Sequence, residues 1–291
     1  MGRNEKRILL IVLALLAVVV GLYVLQGATA GREARVYALS VILCGADDNF
    51  EKGIESAALE KNADMHTVIV EQGDKKAQTA ALERELKNGA EAVILYGFDS
   101  GALCEWSEGN VASAPIVYVG AEAPAIRGLI TITAEPSALA EVLVARMAHD
   151  SLTRDAVLTG ESGPARDALL SALEGAGFSV TEMQPEKAAL PRKALCVCTE
   201  PATAELVCSL ASEGSFIYAL GFRPALREPL ETGKIRALAV SSGYDAGYLA
   251  VNSAVSKASG GRPVNELLAP YIADAENMYE RPLSSVLFPI A

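Results

Sequence analysis

Three cysteines offer the first chemistry in this chain. Cys196 and Cys198 stand two apart, and Cys208 follows. Thiolates can ligate zinc, but such sites pair closely spaced Cys with further Cys or His. Here the pair falls on an apolar run read as a buried strand, where residues two apart share one face. No histidine lies near it, so the sequence points to core thiols rather than a metal centre. His66 and His149 are the only histidines, and each fits a solvated or capping role. No Ser/His/Asp order, no nucleophile elbow and no zinc-protease helix is present. Carboxylates are plentiful, but an acidic chain supplies pairs by chance. We expect no enzyme, no cofactor and no metal.

The remaining candidates sit in short polar loops, each just after an apolar run. They are Gly45 to Asn49 (with Asp48), Gly97 to Ser100 (with Asp99), Gly120 to Glu122, Gly160 to Gly163, Thr199-Glu200, and Gly221 to Arg223. Glycine permits tight turns and close backbone approach. Pro164 after Ser162 and Gly163 opens a helix whose N-terminus could hold an anion. Taken singly, each loop is ordinary turn chemistry. Their placement on one edge would make them a binding surface.

The elements that must position these loops alternate regularly. Strand-like runs are Val36–Cys44, Thr67–Val70, Ala92–Tyr96, Pro115–Val119, Leu129–Thr133, Ala156–Thr159, Phe178–Thr181, Ala194–Cys198, Phe216–Leu220 and Ile235–Val240. Helical spacing joins Phe50, Ile54, Ala57 and Ala58; then Thr79, Leu82 and Leu86; Leu139, Val142, Leu143 and Met147; Ala165, Leu169, Ala172 and Leu173; and Tyr248, Val251, Val255 and Ala258. Strands alternating with helices build parallel sheets covered on both faces. Ten or so strands are too many for one comfortable open sheet. Two doubly wound lobes of five or six strands therefore rank ahead of a closed (β/α)8 barrel. Open sheets of this kind bind ligands at the carboxyl ends of their strands.

Composition sets the partners. The 291 residues are 51% hydrophobic, with a net charge of −11 and a pI near 4.8. Disorder is excluded, and a nucleic-acid backbone would be repelled. Arg3, Lys6 and Arg7 outnumber Glu5 at the start, ahead of Ile8–Leu25, an uncharged run of 18 residues of which 14 are Leu, Ile or Val. Membrane insertion of those residues is favourable by about 4–8 kcal/mol, and the length just spans a bilayer core. We expect residues 1–30 to be an N-terminal transmembrane anchor, with everything from about residue 31 outside the cytoplasm. The competing reading is a signal peptide cleaved after Ala30, since Ala28-Thr29-Ala30 supplies the small-residue pattern. No Cys follows the run to accept lipid.

In series, four stretches resemble the type I periplasmic binding proteins, especially the ribose- and galactose-type solute receptors of ABC transporters. Lys52 to Ala58 is similar to the opening of that family's first helix. Ala92 to Ser100 resembles its third strand with the Asp-Ser that follows. Gly221-Phe222 with Glu231 to Ala237 resembles a later strand and turn, and Gly247-Tyr248 with Gly260 to Val264 a helix and its exit. The resemblance implies two lobes joined by a three-strand hinge and closing on a small solute. Lobe 1 would comprise 36–134 plus 242–272, and lobe 2 135–241 plus 273–291. The crossings would fall near Thr133–Glu135, near Ser241–Gly243 and after about Tyr271. The partner would be an ABC permease or, alternatively, a membrane sensor that reads closure.

Carried over position by position, the ligand-binding residues would be Asp48, Phe50, Asp99, Glu135, Arg166, Thr199, Glu200, Arg223 and Ser241. Phe50 is either the aromatic that stacks on a sugar ring or a core residue. Arg166 matches a cleft arginine, with Ala168 an equal alignment. Arg223 replaces an acidic hydroxyl acceptor, which implies a ligand with an anionic group unless it points outward to Glu200 or Glu228. Thr199, Glu200 and Ser241 stand where the family has Asn, Asp and Gln.

Overall fold

Hydrophobic alternation and Gly-rich breaks produce two parallel sheets. The computed structural model describes residues 35–288 apart from 46, 122, 151–152, 185–192 and 213. The apolar segment Ile8–Leu25 lies outside the described residues. Among the described residues, no helix is long and apolar enough to cross a membrane.

The first sheet has six strands. In spatial order they are β11 (Glu266–Leu267), β5 (Ile130–Thr133), β4 (Ile116–Gly120), β3 (Ala92–Tyr96), β1 (Tyr37–Cys44) and β2 (Ala63–Val70). The second sheet runs β12 (Tyr271–Ala273), β10 (Ile235–Val240), β9 (Phe216–Leu220), β8 (Leu195–Cys198), β6 (Asp155–Thr159) and β7 (Ser179–Met183). In the first sheet β1 pairs with β3, β3 with β4, β4 with β5 and β5 with β11 in parallel; in the second β6 pairs with β7 and β8, β8 with β9 and β9 with β10 in parallel, while β12 runs antiparallel to β10. Central strands such as β3 and β8 are buried along nearly their whole length, because helices cover both faces. Edge strand β2 keeps only alternate residues partly covered, which is why its polar first half hides from a reading of apolar runs.

The first sheet carries α1 (Asp48–Lys61), α2 (Lys75–Lys87), α3 (Ser100–Gly109) and α8 (Gly243–Ala258). Leu82, Leu95, Phe98 and Leu103 form a core between this sheet and its helices. The second sheet carries α4 (Pro136–Asp150), α5 (Pro164–Gly175), α6 (Pro201–Leu210), α7 (Arg227–Glu231) and α9 (Leu283–Leu287). One of its faces packs Leu143, Met147, Leu169 and Leu173. The other packs Cys196, Cys198, Val207, Cys208 and Leu287. The thiols thus sit in apolar surroundings. Burial pushes Cys196 up to about 11 and Cys198 well above the ordinary thiol range.

The chain crosses between sheets three times: between β5 and α4, between β10 and α8, and between β11 and β12. The last crossing therefore precedes Tyr271, since β12 pairs with β10. Leu268 on that crossing donates its amide to the Thr133 carbonyl at 2.8 Å, which ties the first and third crossings together.

Candidate functional site

The carboxyl ends of both sheets open on one cleft of about 510 Å3. Its floor in the first lobe begins where β1 ends. Gly45 turns the chain with φ of 118°, a region open to glycine at little cost. Asp47 then caps α1, its Oδ1 accepting the amides of Asn49 at 3.0 Å and Phe50 at 3.1 Å. Its other oxygen accepts the Tyr96 hydroxyl at 2.5 Å. Tyr96 is the last residue of β3, and Gly97 follows with φ of 64°. A Cβ at Gly97 would sit 2.5 Å from the Cys44 carbonyl oxygen, so β3 can turn here only with glycine. Burial, and then the charge of Asp47, holds the Tyr96 phenol well above its ordinary pKa. Gln72, Tyr96 and Asp47 all line the cleft.

The second lobe supplies Thr199 and Glu200 from the end of β8. Thr199 is buried and packs so closely on Gly160 that a Cβ there would lie 1.8 Å from its Oγ1. Glu200 Oε1 accepts the Thr203 hydroxyl at 2.8 Å, which fixes the carboxylate at the start of α6. Ser241 and Ser242, on the second crossing, complete the lining. Ser242 caps α8 by accepting the Asp245 amide at 3.0 Å.

The candidate residues from the sequence divide accordingly. Thr199, Glu200 and Ser241 meet in the cleft. Asp48 and Arg223 line an adjoining recess that also touches Asp47 and Ser241. Glu135 lies on a further recess with Thr133 and Asp167. Phe50 is a core residue, 0% exposed, its ring stacked on Tyr96 with centroids 4.0 Å apart; the stacking role is corrected because the ring has no open face. Asp99 caps α3 through the Ala102 amide at 2.7 Å and pairs with Lys75 at 3.2 Å, which turns it toward its own helix. Arg166 pairs with Glu182 on edge strand β7 and donates to Ser162 at 3.2 Å, away from the cleft. Arg223 pairs with Glu205 at 3.1 Å, neither of the partners expected for an outward side chain.

Sequence reasoning passed over Asp47, Gln72 and Tyr96. Asp47 stood in the first loop, and its signal was its place directly before a helix, where aspartate caps. Among the described residues no group of three His, Cys, Asp or Glu side chains could hold a metal ion. His66 and His149 are both largely exposed.

No protein-family model matches the chain, and a search of curated proteins finds no match. Solved structures do match. A sugar-binding protein of a sugar ABC transporter from Bacillus halodurans superposes with a TM-score of 0.73 at 17% identity, over 84% of this chain and 98% of that one. An ABC transporter solute-binding protein from Burkholderia graminis, in complex with D-arabinose, gives 0.72 at 14%, over 86% and 99%. A second Bacillus halodurans solute-binding protein, with bound myo-inositol, gives 0.72 at 14%, over 86% and 98%. At these identities the likeness is one of architecture: this chain has the two-lobed α/β fold of the type I periplasmic binding proteins.

Proposed function

We propose that this chain is a non-enzymatic solute-binding receptor that works outside the cytoplasm and captures a small polar ligand between its lobes. The observation that carries the reading is the cleft itself. Loops from the carboxyl ends of both sheets line one cavity, where doubly wound sheets bind ligands, and three crossings leave the lobes free to hinge about it. Lobe 1 would comprise residues 38–134 with 242–267, and lobe 2 residues 135–241 with 271–288. Thr199, Glu200 and Ser241 would contact the ligand, joined by Asp47, Gln72 and Tyr96. The sugar- and polyol-bound relatives make sugar-like solutes the first class to try. Delivery to an ABC permease is the corresponding role, with Ile8–Leu25 holding the receptor at the membrane.

The length of that apolar run favours a second reading, a tethered sensory ectodomain whose closure is read by a partner receptor or kinase. A thermal-shift screen of sugars, polyols, amino acids, nucleosides and amines tests capture. A true ligand at 100 times its Kd adds about 2.7 kcal/mol of stability. Absence of any shift across these classes would contradict solute capture.

A further inference from the structure

The charges lining the cleft are one-sided. Among the described residues, its ionisable side chains besides Cys44 and Tyr96 are two carboxylates, Asp47 from lobe 1 and Glu200 from lobe 2. No lysine, arginine, asparagine or histidine lines it. Neither arginine expected near the cleft lines it: Arg166 pairs with Glu182, and Arg223, on the adjoining recess, pairs with Glu205. We propose that the cleft selects a small ligand carrying a protonated amine, held by Asp47 and Glu200 from opposite lobes. The inference rests on the solute-binding reading above and names the chemistry of its ligand.

Donor and acceptor capacity supports it. A neutral sugar presents several hydroxyls, each wanting donors as well as acceptors, and the cleft offers as side-chain donors little beyond Gln72 and the hydroxyls of Thr199, Ser241 and Ser242. An ammonium group needs acceptors only. Glu200 spends Oε1 on Thr203 and keeps Oε2. The Asp47 oxygen that takes the Tyr96 hydroxyl keeps a further lone pair. Helix ends offer an anion little. Asp47 already caps α1, Ser242 caps α8, and at α6 the N-cap residue is Glu200 itself; α5, which reaches the lining through Ala165, opens at Gly163 without a side-chain cap but carries the carboxylate of Asp167 in its first turn. An anion approaching α6 would meet a carboxylate. Much of the remaining lining is apolar, from Val119, Leu139, Ala165, Pro201 and Leu220, which suits a compact body behind the amine. In a closing, partly dry cleft such charge-assisted hydrogen bonds strengthen.

Matched probes on the full chain in detergent test this by calorimetry and thermal shift. One set is D-glucosamine, D-glucose and D-glucuronate; the other is cyclohexylamine, cyclohexanol and cyclohexanecarboxylate. The amine should bind about tenfold or more tighter than its neutral partner, and the acid more weakly still. Glu200→Gln, isosteric and able to keep the Thr203 contact, should erase the preference while melting like the parent. Asp47→Asn, which still caps α1, should weaken the amine in the same way. Preference for a neutral or acidic probe, or full amine preference in Glu200→Gln, would overturn the inference and leave solute capture standing. No binding in either set, nor in the wider screen, would overturn solute capture and this inference with it.

Discussion

Gly53 and Gly247 are notched into each other's helices. A Cβ on Gly53 would lie 2.1 Å from the Tyr244 carbonyl oxygen, and one on Gly247 would lie 2.2 Å from that of Phe50. Both obstacles are backbone, so neither can swing aside. The notch seats α1 against α8, and these are the helices whose N-caps, Asp47 and Ser242, line the cleft. Packing and site are therefore coupled at this crossing.

Gly247→Ala should cost about 1–3 kcal/mol by overpacking, or about 2–4 °C of melting temperature per kcal/mol in a unit of this size. Calorimetric melting checks it. A variant that melts with the parent would show that the two helices can part without cost.

Arg223→Ala should leave ligand affinity within about 1 kcal/mol, since its guanidinium pairs with Glu205 and it is not among the residues lining the cleft. Titration with any ligand found by the screen decides. A selective loss for anionic ligands would return Arg223 to the cleft.

Asp99→Ala should lower stability by about 1 kcal/mol at pH 7 through loss of the α3 cap. The Ala102 amide, with help from Lys75, holds the Asp99 carboxyl below its ordinary range. Its contribution is thus present above the unfolded value near 4 and is lost as pH falls through the lower folded value. Denaturant melts of parent and variant should converge in strong acid. A constant gap across pH would contradict the cap and the ion pair.

Burial, reinforced by Asp150, pushes the Tyr218 phenol up to about 12, against about 10 in an unfolded chain. The unfolded form releases this proton first, so stability should fall as pH rises from about 10 to about 12. Tyr218→Phe should flatten that decline in melts taken at stepped alkaline pH. An unchanged slope would show that Tyr218 ionises as if exposed.

Much of the fold was legible from periodicity. The runs Ala92–Tyr96, Phe216–Leu220 and Ile235–Val240 match β3, β9 and β10 end to end, because central strands covered on both faces are continuous apolar blocks. The short strands β11 and β12 carried no such block and were missed, which is also why the third crossing was placed too late. The site was less legible. Its loops followed from the strand ends, but side-chain direction depends on partners distant in sequence. Nothing local tells Arg166 to seek Glu182, or Tyr96 to seek Asp47 across 49 residues. Phe50 stands in the first turn of α1, and its ring is turned into the core and stacked on Tyr96.

The claim on which the rest depends is that two lobes close on a small solute. Small-angle X-ray scattering of residues 35–291, with and without a ligand from the screen, tests it most directly. The account predicts a smaller radius of gyration on saturation, with unchanged circular dichroism, as hinged lobes close. Identical scattering curves at saturating ligand would contradict hinge closure and leave a rigid body in its place.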